Sequence, residues 1–127
     1  MSVKPTRILV VDDEPDVVMF IARTLNSEGF DVISAYDGIS ALDLAENESP
    51  DLIVLDIMMP MMSGYEVCEQ LKGNPQTQNI PIVCVSSAHN PNARDRSLGA
   101  GAATLLLKPF SPAELVAQIK RHLPQPV

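Results

Sequence analysis

Cysteine is scarce: two of the 127 residues, Cys68 and Cys84, at positions with neither metal-ligand nor redox spacing. Cys84 lies in an apolar run and Cys68 on the apolar side of a helical stretch, so both read as small buried hydrophobes. Long hydrophobic runs are missing as well. Ile8-Leu9-Val10-Val11 is far too short for a signal peptide, and nothing approaches the roughly twenty apolar residues of a membrane span. The expectation is a cytoplasmic chain without membrane contact. Basic residues are few, nine Lys and Arg against sixteen Asp and Glu, for a net charge of −7. That balance argues against direct binding of nucleic acid or anionic membrane, and suits a cation or a basic partner. The chain has no internal repeat. Its length suits one domain that buries roughly two-thirds of its unfolded surface.

What the sequence does have is short apolar runs ending on polar residues. The most pronounced is Leu52-Ile53-Val54-Leu55-Asp56, which reads as a strand buried on both faces with a carboxylate at its end. Arg7 to Val11 is a similar run, closed by Asp12-Asp13-Glu14-Pro15. Pro15 suits the first position of a helix, with Asp13 or Glu14 as cap. Val18, Ile21, Ala22 and Leu25 give that helix its buried stripe, and Gly29 stops it. Asp31 to Ala35 is a short strand, and Asp37-Gly38 leads into a helix to about Glu48 with Ala41, Leu42 and Ala45 inward.

After the central strand, Ser63 and Glu66 form a capping box for a helix that buries Gly64, Val67, Cys68 and Leu71. Gly73 to Pro81 reads as a long loop. Pro81 to Ser86 is the fourth strand, and Pro91 to Ala100 a weak helix expected to be the most mobile. Ala103 to Leu107 is the fifth strand. Ser111-Pro112-Ala113-Glu114 caps a last helix with Leu115, Ile119 and Leu123 inward. The domain is thus placed at residues 1–123, with a linker-like tail at 124–127 marked by Pro124 and Pro126. Strands alternate with crossover helices, which predicts a parallel sheet covered on both faces. Right-handed crossovers with the first strand near the middle give the order 2-1-3-4-5.

In that order Asp12, Asp13 and Asp56 meet at one rim. Carboxylates about 5 Å apart repel by about 3 kcal/mol per pair at an effective dielectric of about 20, so such a rim calls for a cation or a protonated carboxyl. A hard divalent ion with oxygen ligands answers this, Mg²⁺ first because it keeps waters and shares phosphate oxygens, with Mn²⁺ as a substitute. Two further strand ends bring the Ser86 hydroxyl and the Lys108 ammonium. Nucleophilic carboxylate, metal, cation and hydroxyl together make a site for a phosphoryl group.

At these residues the chain resembles the receiver domain of two-component response regulators, the CheY-like family. The matching pieces are Val10-Val11-Asp12-Asp13, Leu55-Asp56-Ile57-Met58-Met59-Pro60 with Gly64, Val85-Ser86, Gly101-Ala102 and Lys108-Pro109-Phe110, and they span nearly the whole chain. The resemblance implies an α/β, flavodoxin-like (βα)5 doubly wound sheet. CheY is itself an example of the 2-1-3-4-5 order, so fold and family are one expectation rather than two. It implies Asp56 as phosphoacceptor, attacking a phosphohistidine on a histidine kinase or histidine phosphotransfer protein. Asp12, Asp13, Asp56 and the Met58 main-chain carbonyl would hold Mg²⁺, with Asp12 close by or acting through water. Lys108 would pair with the phosphoryl group, Ser86 would hydrogen-bond one of its oxygens, and Lys108-Pro109 would be cis. The result would be a phosphorelay switch rather than an enzyme with a separate substrate. It would act on a downstream protein or effector domain through the face of the fourth helix, fifth strand and fifth helix.

The chain departs from the family at several points. Many receivers carry an aromatic switch residue three positions before the lysine, where Leu105 stands here, so a switch would use the aliphatic side chain or backbone shifts. Ala103 and Thr104 replace the acidic residues common in receivers that dimerise. Met58 and Ala88 occupy positions that tune acyl-phosphate lifetime, and neither positions a water readily, which predicts slow self-dephosphorylation. Met58 also stands where a dehalogenase-type phosphatase needs its second Asp. Asp12-Asp13-Glu14 is the wrong charge for a flavodoxin's phosphate loop. A receiver that is never phosphorylated would not need this full residue set. His89 and His122 have no assigned role. Met58, Met59, Met61 and Met62 read as packing residues, or as a methionine patch for a partner.

Overall fold

The computed structural model describes residues 5–87, 90 and 92–124. Ala88, His89, Pro91 and Pro126, singled out above, lie outside the described residues. Five strands alternate with five helices. They are β1 (Arg7–Val11), α1 (Pro15–Ser27), β2 (Asp31–Ala35), α2 (Gly38–Glu48), β3 (Leu52–Asp56), α3 (Gly64–Lys72), β4 (Ile82–Ser87), α4 (Ala93–Gly99), β5 (Thr104–Lys108) and α5 (Pro112–His122). The strands form one sheet in the order β2-β1-β3-β4-β5, every pair parallel. This is the parallel sheet expected from the alternation, in the flavodoxin-like arrangement that the resemblance implies.

Continuous apolar strands follow from a sheet covered on both sides. Alternate residues of β1 and β3 serve opposite faces. Ile8, Val10, Leu52 and Val54 pack with Val18, Ile21 and Leu25 of α1 and Leu115 and Ile119 of α5. Leu9, Val11, Ile53 and Leu55 pack with Ala41 and Ala45 of α2 and Val67, Cys68 and Leu71 of α3, and Ala93 of α4 joins the same layer. Each fully buried Leu, Ile or Val contributes about 1.5–3 kcal/mol. Both cysteines are buried in this second layer.

Helix ends follow local chemistry, with differences from the expectation. Glu14 is the N-cap of α1 but makes no side-chain cap bond; instead the Asp12 carboxylate accepts from the Glu14 N–H at 2.9 Å. Asp37 caps α2 through the Ser40 N–H at 2.7 Å. At α3 the Ser63 hydroxyl accepts from the Glu66 N–H, without the returning bond that completes the box at Ser111 and Glu114 of α5. Gly29 ends α1 with φ +89°, a conformation glycine adopts without steric cost.

Strand β4 begins and ends one residue later than expected, and so does β5. The Ala103 N–H bonds the Ile82 carbonyl outside the ladder, and Lys108 pairs in register with Ser87. Helix α4 is shorter than 91–100, and Leu123 is the C-cap of α5, half-buried. The stretch after α3 is tied down rather than loose. Thr77 is fully buried and donates to the Leu71 carbonyl at 2.7 Å, while Lys72 Nζ donates to the carbonyls of Gln78 and Ile80. No helix among the described residues is long and apolar enough to cross a membrane.

Candidate functional site

Register places the site. Val11 of β1 pairs with Leu55 of β3, so Asp12, just past β1, and Asp56, the last residue of β3, stand side by side at the sheet's carboxyl rim, where open α/β sheets take their ligands. Asp13 follows directly. One carboxylate oxygen from each of Asp12, Asp13 and Asp56 lies within 4.8 Å of the others. Asp12 and Asp56 are buried and Asp13 half-buried.

Lys108 ends β5 and reaches across the rim. Its ammonium lies 3.2 Å from Asp12 Oδ2 and 3.5 Å from Asp56 Oδ1. One cation faces three anions. Burial pushes the Asp56 carboxyl up to about 6, the Asp12 charge adds to the rise, and Lys108 and the Met58 N–H oppose it. Burial works to lower Lys108, but the carboxylates of Asp56 and Asp12 jointly outweigh it and hold the ammonium above its ordinary value. Such a rim of hard oxygen donors, still short of positive charge with Lys108 in place, fits a divalent cation held by carboxylates and water.

Gly64 shapes the floor of the site. A Cβ there would collide with the Asp56 carbonyl oxygen and stand 2.6 Å from Ile57 Cα. The Gly64 N–H donates to the Ile57 carbonyl at 2.9 Å. The absent side chain lets α3 begin directly against the backbone that carries Asp56.

Ser86 lies in β4, fully buried. Its hydroxyl accepts from Asn90 Nδ2 at 3.1 Å and donates to the Ser87 carbonyl at 3.5 Å. The Lys108–Pro109 peptide is cis. Leu105 is half-buried and packs against the layer of α2, α3 and α4. The methionines divide: Met59 is buried and Met62 half-buried, while Met58 and Met61 are exposed because the β3–α3 connection turns outward there, with Met61 at φ +69°. His122 ends α5 beside Lys120 and Arg121, where positive charge complements the helix dipole.

Three residues beside the site were not singled out from the sequence. Asn90 Nδ2 also approaches Tyr65 Oη at 3.5 Å and Met58 Sδ at 3.7 Å. The Arg96 guanidinium stands 4.0 Å over the Tyr65 ring. These contacts join residues 25 to 32 positions apart, so no local pattern announces them. The nearest sequence signal was an aromatic residue directly after Gly64.

Comparison with known proteins agrees with this geometry. Residues 8–120 match the model of the response regulator receiver domain. The chain is 44% identical over 117 residues to the alkaline phosphatase synthesis transcriptional regulatory protein PhoP of Bacillus subtilis, covering 92% of this chain and 48% of that protein. It is 42% identical over 119 residues to the response regulator MprA of a Mycobacterium species, covering 94% of this chain and 51% of that protein. The chain thus spans about half the length of these curated relatives. Among solved structures, the chemotaxis protein CheY4 of Vibrio cholerae superposes with a TM-score of 0.89 at 30% identity, covering 94% of this chain and all of that one. The sequence match across both acidic strand ends, the sheet order and the shared architecture together place the chain in the family of response regulator receiver domains.

Proposed function

We propose that the chain is a cytoplasmic phosphorylation switch that takes a phosphoryl group onto Asp56 from a phosphohistidine of a histidine kinase or histidine phosphotransfer protein. The observation that carries this reading is the cluster itself: a buried carboxylate at a strand end, two more beside it, and Lys108 bridging Asp12 and Asp56.

An Asp56 oxygen attacks phosphorus, the N–P bond breaks, and its electron pair returns to the imidazole nitrogen. The products are an acyl phosphate and a free histidine. Lys108, already within ion-pair distance of the nucleophile, neutralises charge on the phosphoryl oxygens. Asp12, Asp13, Asp56 and the Met58 carbonyl would hold Mg²⁺, or Mn²⁺ in its place; the bound ion supplies Lewis-acid stabilisation of phosphoryl oxygens and keeps Asp56 ionised. The Ser86 hydroxyl donates to a phosphoryl oxygen once the group is in place. The exposed Met58 side chain holds no water for hydrolysis, so the acyl phosphate decays slowly. Val17, Phe20, Pro109 and Phe110 line an apolar groove beside Lys108, a surface for the donor protein. On the output side, exposed Leu98 of α4 and Leu107 of β5 give the α4–β5–α5 face apolar contact points for a downstream protein or effector domain.

The test is Mg²⁺-dependent phosphorylation by acetyl phosphate, read by intact mass, with Asp56→Asn in parallel. The reading requires one added phosphate in the parent and none in the variant, which keeps its fold. Mg²⁺ binding without phosphate gain would point to a module regulated by partner binding alone, or to one that demands its cognate phosphodonor. No binding of either would make the acidic rim structural.

A further inference from the structure

Ser86 is held by Asn90, a residue outside the motif pieces that carry the family resemblance. Its hydroxyl can donate one hydrogen bond and accept two. It accepts from Asn90 at 3.1 Å, while among the described residues its own proton has only the Ser87 carbonyl at 3.5 Å. The proton is therefore the loosely held part, available to a phosphoryl oxygen, and the Asn90 bond is what a rotation of Ser86 would break.

Asn90 sits where such a break matters. Its main-chain N–H donates to the Ser87 carbonyl, and its carbonyl accepts from the N–H of Ala93, the first residue of α4. Its amide faces Tyr65 Oη. Tyr65 is buried, follows the Gly64 contact on Asp56, and carries the Arg96 guanidinium of α4 over its ring. Helix α4 has few other anchors. It buries only Ala93 and Ser97, lacks a side-chain N-cap, and the Ser97 hydroxyl is without a hydrogen-bond partner among the described residues.

We propose that Asn90 and Tyr65 form the link by which Ser86 controls α4, with an aromatic residue of α3 in the role that Leu105 of β5 cannot fill. This rests on Asp56 as phosphoacceptor. When Ser86 turns to the phosphoryl group, the Asn90 amide loses its best acceptor. It shifts away from Tyr65, and the Tyr65–Arg96 clamp on α4 loosens. Asn90 and Tyr65 are positioning residues, since neither needs to touch the reacting atoms.

The experiment uses beryllofluoride with Mg²⁺ as a stable stand-in for the phosphoryl group. Fluorine NMR reads its binding, and hydrogen exchange reads residues 93–99. In the parent, binding should raise α4 exchange at least threefold. In Asn90→Ala, affinity for beryllofluoride should stay within threefold while the α4 response falls below one third of the parent's. Tyr65→Phe keeps the ring under Arg96 and removes only the oxygen. It should already show raised α4 exchange at rest and a reduced further response, whereas a ring that only packs would leave both unchanged. A full α4 response in either variant overturns the link. Failure of the parent to bind beryllofluoride would instead overturn the phosphoacceptor reading, and the link with it.

Discussion

Helices α3 and α4 share one face of the sheet, yet they are held by different means. Five of the nine residues of α3 are buried, the Ser63 hydroxyl caps its start, and Gly64 sets it directly on the Asp56 backbone. Only two of the seven residues of α4 are buried, and it starts from Asn92 in a left-handed conformation without a side-chain cap. Apolar burial sets how much a segment resists local opening. The chemistry therefore sits beside an element with little freedom, and the response is assigned to its freer neighbour. A switch needs both: carboxylates that do not wander, and a surface whose two arrangements differ little in energy.

The comparison is tested most severely at Gly64. Gly64→Ala forces a methyl into the Asp56 carbonyl, and the backbone must move. We expect a loss of about 3 kcal/mol in denaturant unfolding, together with weaker phosphorylation. A loss under about 0.5 kcal/mol would mean that α3 is not tightly seated.

Next in size is the pH dependence of the metal-free protein. The folded Asp56 carboxyl titrates at about 6 against an ordinary 3.8, so the folded state binds more protons between these values. Its contribution is fully present below about pH 4 and is lost as pH rises through 6, up to about 3 kcal/mol in all. Urea unfolding of the parent minus that of Asp56→Asn isolates this component. A difference that is flat from pH 4 to 7 would show that burial and the neighbouring Asp12 do not raise the Asp56 carboxyl. Saturating Mg²⁺ should raise the melting temperature at pH 7 and do so less at pH 5, because protons compete for the same oxygens.

Smaller effects separate the two helix starts and ends. Ser63→Ala removes the α3 cap and should cost about 1 kcal/mol, read as a lower urea midpoint with an unchanged slope. Gly99→Ala lies near the end of α4, where an added Cβ meets nothing within 4 Å. It should stabilise by about 0.5 kcal/mol through the unfolded chain's entropy, and slow hydrogen exchange in α4 without touching α3. A destabilising Gly99→Ala would mean that α4 is packed more closely than its burial indicates.

The bounds of β1, β2 and β3 could be read from the sequence because each apolar run is bounded by turn formers or charge. Strand β5 could not be read to the residue. Lys108 is charged, and nothing local says that its stem continues the strand in register with Ser87 so that its ammonium reaches Asp12, 96 positions away. The capping box expected at Ser63 is half made and the one at Ser111 complete, a difference set by where the Glu66 and Glu114 side chains turn. The methionines after Asp56 looked alike in sequence, and only the outward course of the chain separates buried Met59 from exposed Met58 and Met61.

Periodicity, turn residues and the carboxylates at strand ends determined the class of fold and, with the sheet order that the family resemblance also implies, the acidic rim. These are local signals, and burial on two faces leaves a chain of this pattern few ways to fold. What the tertiary structure alone decided is how the rim is electrically balanced and what Ser86 is tied to. Asn90, Tyr65 and Arg96 meet across three elements, and such contacts depend on the packing of helices on a sheet, which no single stretch of residues encodes.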